Sequence, residues 1–162
     1  MNNQPSPACP PKARYSRTDA GRWARLYGVP LAPNAALMGA MKAGDFDGTL
    51  LVRAGLAALE LGVFDAAHNA LFAAVWAGED DLLSTTGRVD FLARNGIDAD
   101  IWHHAQSTAI QERLALNNEY AVSHGVFGVP SFLVADELFF GNDRLDFVRA
   151  ALQSITREGA HP

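Results

Sequence analysis

The residues of this chain whose types and spacing suit chemistry lie mostly in one stretch, "GVFGVPSFLVADELFFGNDRLDFV", from Gly125 to Val148. Two pairs stand out in it. Val129 and Pro130 precede the apolar run Ser131 to Val134. An X-Pro bond is the one kind of peptide bond that is readily cis, although by residue type alone "GVP" reads as an ordinary strand start. Asn142 and Asp143 precede a helical pattern, with Asp143 and Asp146 at capping-box spacing and Asp in place of the usual Glu or Gln. By type, these two read as a helix cap.

The other candidates carry less. Cys9 is the only cysteine, so neither an internal disulfide nor a Cys-x-x-Cys redox pair can form within the chain, and a reducing compartment fits. His103 and His104 are adjacent and diverge on a helix; with His68 and His124 they read as surface or boundary histidines, and no metal site is expected. "GEDD", Gly78 to Asp81, reads as the acidic first turn of a helix. Trp23, Phe72, Trp76 and Phe127 read as core aromatics, Trp102 could line a pocket, and Asn117 takes no role from its type.

Bulk properties narrow the classes further. The chain has 162 residues, 49% of them hydrophobic, which is one domain's worth and enough to bury a core. A net charge of -5 without a Lys/Arg cluster gives a nucleic-acid partner nothing to track. The longest apolar region, Gly48 to Trp76, is interrupted by Arg53, Glu60 and Asp65, so no membrane span is expected and a cytoplasmic protein is. Residues 1–13 read as a disordered, proline-rich leader, the prolines opposing a regular helix.

Periodicity supplies the elements that must hold the candidates. Helices are expected over Asp19 to Tyr27, stopped by Gly28 and Pro30, and over Asp47 to Leu61 and Phe64 to Trp76 as an antiparallel pair. A helix capped by Ser84 or Thr85 should run to Arg94. Asp98 or Asp100 should cap a short one holding Trp102. A longer helix, about Ser107 to His124, should bury Ile110, Leu114, Asn117 and Ala121, with Gly125 ending it. The pattern then changes to a β-hairpin, Ser131 to Val134 with Leu138 to Phe140. A final helix follows, with Leu145, Val148, Leu152 and Ile155 on its buried face.

The C-terminal stretch resembles the signature of the 2-hydroxychromene-2-carboxylate isomerases, relatives of the kappa-class glutathione transferases and of the DsbA-like thioredoxin superfamily. "RYSRTDAGRWARLYGVPL", "NALFAAVWAGEDDL" and "RLALNNEYAVSHGVFGVPSF" resemble further segments of that family in the same order. The resemblance implies a mostly α fold with a small β-hairpin: a helical domain over 14–106 and the C-terminal half, hairpin and helix, of a DsbA-like thioredoxin fold over 107–162. No segment resembles the family's opening strand-helix-strand half. Its catalytic serine has no counterpart, since Ser6 follows no strand, and the catalytic residue is left unassigned.

What the resemblance implies for the site is specific. Val129 and Pro130 match the family's Val-cis-Pro turn, whose backbone pairs with the cysteinyl part of glutathione as an added strand would. Asn142 and Asp143 match positions that grip the γ-glutamyl end, where helix-start N–H groups suit its carboxylate and an aspartate its ammonium. Glutathione is thus the implied cofactor, a small aromatic acid the implied substrate, and a homodimer a further expectation. The implied activity is a glutathione-dependent isomerisation, weak if the chain is truncated. The alternative is a non-catalytic remnant acting as a binding or structural module.

Overall fold

The computed structural model describes residues 9–97 and 100–158. Eight α-helices and one two-stranded antiparallel hairpin follow the order helices, hairpin, helix among these residues. The chain resolves into two compact units, Met1–Ile110 and Gln111–Pro162, and the division falls inside a helix.

The first unit holds six complete helices. α1, Pro10–Tyr27, starts well before Asp19, because Pro10 and Pro11 stand at its first positions, where the ring's fixed φ suits the helix and the missing N–H costs nothing. The prolines therefore begin a helix that they were expected to prevent. Residues 1–8 of the expected leader lie outside the described residues. α2, Ala35–Ala43, has no counterpart among the expected elements. Its start is Asn34, whose side chain accepts a hydrogen bond from the Leu37 N–H and whose amide donates to the carbonyls of Ala74 and Asp80.

α3, Thr49–Glu60, and α4, Phe64–Trp76, pack through small residues, Ala54, Ala57 and Ala58 meeting Ala67, Leu71 and Ala74 in the buried cluster. α5, Thr85–Arg94, is capped by Ser84, whose hydroxyl accepts from the Gly87 N–H at 2.9 Å. α6, Ile101–His104, is capped by Asp100; Asp98, the other expected cap, lies outside the described residues. Phe91, Ile101 and Trp102 complete the core, and the Trp102 indole N–H donates to the Arg88 carbonyl at 2.9 Å. "GEDD" is not a helix start: α5 begins only at Thr85, and Asp81 instead accepts from the N–H groups of Leu83 and Ser84 and from the Ser84 hydroxyl.

The second unit is built on less. α7, Thr108–Ser123, crosses the division between the units, and Ile110 is its one buried residue. The expected stripe does not form, since Asn117 is exposed and Leu114 and Ala121 are only half-buried. Strand β1, Ser131–Val134, pairs with β2, Glu137–Phe140, in the register Ser131 with Phe140 through Val134 with Glu137. Only Ala135 and Asp136 join the strands. Ala135 carries φ 51, the left-handed region that such a tight loop requires and that L residues avoid.

A single 3₁₀ turn, Asn142–Arg144, leads into α8, Leu145–Glu158. Of the expected buried face only Val148 is buried, while Leu145, Leu152 and Ile155 are exposed. Geometry explains the shortfall. A four-residue strand spans about 13 Å, whereas fourteen helical residues span about 21 Å, so the hairpin cannot cover the helix. Among the described residues no helix is long and apolar enough to cross a membrane.

Candidate ligand site

The hairpin register brings the two sequence-predicted pairs together. Ser131 opposes Phe140, and one step further the Gly141 N–H donates to the Pro130 carbonyl at 3.0 Å. Pro130 and the 3₁₀ turn that starts at Asn142 thus share one end of the hairpin. The Val129-Pro130 bond is cis.

Two glycines permit this arrangement. Gly141 has φ 104, and a Cβ there would run into the Asp143 carboxylate. A Cβ on Gly128 would stand 2.9 Å from the edge of the Phe140 ring, which meets the Phe127 ring at 4.6 Å. Both positions therefore exclude larger residues for identifiable steric reasons.

The exposed groups at this end are polar backbone and one ion pair. Val129 is 86% exposed. Among the described residues neither its N–H nor its C=O takes part in a hydrogen bond, so the segment presents an unpaired strand edge of two groups to solvent. Ser131, next after the proline, is committed: its hydroxyl donates to the Gly128 carbonyl at 2.7 Å.

Asn142 and Asp143 do not cap. The residue before the 3₁₀ turn is Gly141, no side chain bonds to the turn's N–H groups, and Asp143 turns instead to Arg144, whose guanidinium donates to its carboxylate at 2.6 Å. Both side chains are about half exposed, at 52% and 48%, so one carboxylate and one guanidinium face solvent side by side. Arg144 is absent from the sequence-based candidates. Adjacency in sequence does not distinguish a pair that meets from one that diverges, and no other signal in "GNDRLD" marks it.

The other candidates lie elsewhere. Trp102 is buried, and its ring stands against Phe91 at 6.1 Å. Phe72, Trp76 and Phe127 are not core residues, being 57%, 43% and 74% exposed. Apolarity announces a side chain that gains from burial but not whether the fold covers it. His104 pairs with Glu60 at 3.0 Å, and among the described residues no group of three or more His, Cys, Asp or Glu could hold a metal.

Comparison with known proteins places the chain. Residues 1–153 match the DSBA-like thioredoxin domain. The 2-hydroxychromene-2-carboxylate isomerase of Pseudomonas putida is 32% identical over 154 residues, covering 92% of this chain and 70% of that protein. The isomerase of the same name from Sphingobium xenophagum is 31% identical over 143 residues, covering 88% of this chain and 69% of its own. A solved structure of 2-hydroxychromene-2-carboxylate isomerase matches with a TM-score of 0.73 at 27% identity, covering 98% of this chain and 74% of that one. The chain belongs to the DsbA-like thioredoxin domain family, in the branch that holds the 2-hydroxychromene-2-carboxylate isomerases.

Proposed function

We propose that the chain binds glutathione at the Pro130 end of the hairpin and acts in the cytoplasm as a glutathione-dependent isomerase of the 2-hydroxychromene-2-carboxylate type. The observation that carries this reading is the meeting, at one end of one hairpin, of an unpaired Val129 backbone and the exposed Asp143–Arg144 pair.

The groups present fit a γ-glutamyl tripeptide. A peptide segment laid along Val129 in extended form would accept from its N–H and donate to its C=O, as an added strand does. A zwitterionic amino-acid head carries an ammonium for Asp143 and a carboxylate for Arg144, and the guanidinium is shaped for two-pronged recognition of a carboxylate. When bound, glutathione would supply a thiol able to add to an unsaturated carbon and leave again unchanged. The chain's own part is to hold the two ends of the tripeptide and thereby fix where that thiol stands.

A second reading has its own observation. The Ser131 hydroxyl is tied to the Gly128 carbonyl, and the Arg144 guanidinium is already engaged by the Asp143 carboxylate. Binding without appreciable turnover is the outcome that this favours.

Calorimetry with reduced glutathione, followed by an assay of 2-hydroxychromene-2-carboxylate isomerisation, separates the readings. Binding with turnover supports the isomerase, and binding without turnover supports the binding module. Asp143→Ala removes a charge-assisted hydrogen bond from a half-exposed position, and the expected loss is about 1.5 kcal/mol, roughly tenfold in affinity. An affinity that Asp143→Ala leaves unchanged would refute the assignment of the site.

A further inference from the structure

α1 has a charge opposite to that of the chain around it. Lys12, Arg14, Arg17, Arg22 and Arg25 stand in it against Asp19 alone, whereas the whole chain has 13 Lys and Arg to 18 Asp and Glu and a net charge of -5. Spaced along the sequence, these basic residues form no run. The helix gathers them: at about 3.6 residues per turn, Arg14, Arg17, Arg22 and Arg25 fall within one arc of roughly 140°.

The fold does not use this arc. α1 has no buried residue, and all four arginines are exposed. Among the described residues Arg14, Arg17 and Arg25 meet no acidic side chain. The helix's own acid is already engaged, since Asp19 accepts from the Trp23 indole N–H at 3.2 Å and from Arg22 at 3.4 Å. Ala13, Trp23 and Ala24, outside the arc, are half-buried. The border of the arc is apolar. Tyr15 and Leu26 are 63% and 71% exposed, and the Arg22 guanidinium lies 5.8 Å from the centre of the Tyr15 ring, so cation and aromatic ring stand side by side. Past the helix end, Val29 and Leu31 continue the exposed apolar residues.

We propose that α1 lays its arginine face on a membrane surface rich in anionic phospholipid, the guanidiniums on the headgroup phosphates and Tyr15 and Leu26 at the acyl boundary. The charges select this occupant. An acidic chain is repelled as a whole by an anionic surface, so attachment comes through the one helix of opposite sign and fixes the orientation. Guanidinium offers phosphate two parallel donors. A nucleic-acid backbone or an acidic peptide would meet the arginines but leave Tyr15 and Leu26 in water, whereas the membrane interface takes basic and apolar groups on neighbouring strips of one helix. The inference uses neither Val129 nor Asp143 and stands apart from the glutathione reading.

Co-sedimentation of the full chain with vesicles of phosphatidylglycerol, and in parallel with vesicles of phosphatidylcholine, tests it. Binding to the phosphatidylglycerol vesicles is expected at about 10 mM salt and should weaken by at least about tenfold at about 0.5 M, where surface charges are screened. The phosphatidylcholine vesicles should bind at least about thirtyfold less. Replacing Arg14, Arg17 and Arg25 together by glutamine keeps helix propensity and should weaken binding to phosphatidylglycerol by roughly a hundredfold. The thermal midpoint should stay near that of the wild type, since these side chains are exposed. Leu26→Gln should lower the affinity by roughly threefold. Equal binding to the two kinds of vesicle, no binding to either, or an affinity unchanged in the triple variant overturns the proposal. Full vesicle affinity in Leu26→Gln, or a duplex DNA that binds more tightly than the vesicles at equal phosphate concentration, overturns the choice of a lipid surface.

Discussion

The two units solve the folding problem to different extents. In the first, one contiguous cluster runs from Leu37 through the alanines of α3 and α4 to Phe91, Ile101 and Ile110. In the second, Val134 and Val148 are the buried hydrophobics among the described residues, and α8 leaves Leu145, Phe147, Leu152 and Ile155 exposed. The candidate glutathione site lies in the second. The difference teaches that a site of this kind is defined by backbone register, by two glycines and by one ion pair, and asks little of a core. Stability and binding should therefore respond to different substitutions, and each of the following measurements tries to break that separation.

The largest effect expected is on the packed side. Phe91 is fully buried against Trp102, and Phe91→Ala should cost about 3–5 kcal/mol. Trp23, Trp76 and Trp102 all lie in the first unit, so urea denaturation followed by tryptophan fluorescence reports on it directly. A loss below about 1 kcal/mol would show that the cluster is not the source of that unit's stability.

Asn34 comes next. It is 4% exposed and answers one N–H and two carbonyls with one side chain. Asn34→Ala leaves all three without that partner, and the same fluorescence transition should fall by about 2–3 kcal/mol.

On the sparse side, Ala135→Gly should help. The left-handed backbone at Ala135 costs an L residue about 1–2 kcal/mol, and glycine's extra freedom in the unfolded chain returns roughly 0.5–1 of that. The net gain of about 0.5 kcal/mol should appear as slower amide exchange across β1 and β2. Faster exchange would show that the turn does not hold the described conformation.

The smallest effect is electrostatic. The Ser84 hydroxyl, then the Ser84 and Leu83 N–H groups, hold the Asp81 carboxylate below its ordinary range, and the Thr49 hydroxyl and N–H do the same for Asp47. A folded-state value below the unfolded one means stabilisation that is fully present above the unfolded value, near pH 4, and lost as pH falls through the lowered one. Asp81→Asn should flatten the acid limb of the first unit's stability by lowering it slightly in the neutral region, the variant and the wild type converging as pH falls below the lowered value. Both groups are solvent-accessible, so the change is a slope to be seen in a pH series rather than a loss of fold.

How much of this was legible in the sequence follows the same division. Local signals were readable: Ser84 and Asp100 cap the helices they precede, Gly28 and Gly125 stop theirs at positive φ, and the hairpin differs from expectation only in that Glu137 joins β2. Pro10 and Pro11 misled because proline's effect depends on whether it stands at the first turn or in the interior, which residue type does not reveal. α2 escaped notice because its start signal, Asn34, follows Pro33 and reads as loop. Burial was the least legible property. Leu152 and Phe72 have the pattern of core residues, and what covers a face is decided by elements distant in sequence. At the candidate site, Val129, Pro130, Asn142 and Asp143 come from family resemblance alone, whereas the Asp143–Arg144 pair and the free Val129 N–H and C=O needed coordinates.

The central claim is that the Pro130 end of the hairpin takes the ligand. Titrating uniformly ¹⁵N-labelled protein with reduced glutathione, and following every backbone amide, tests it most directly. The account predicts that at about 1 mM ligand the amides of Val129, Gly141, Asp143 and Arg144 shift together along one binding curve, and that Asp143→Ala moves that curve to higher concentration. Shifts confined to residues before Ile110, or none at any concentration reached, would contradict it.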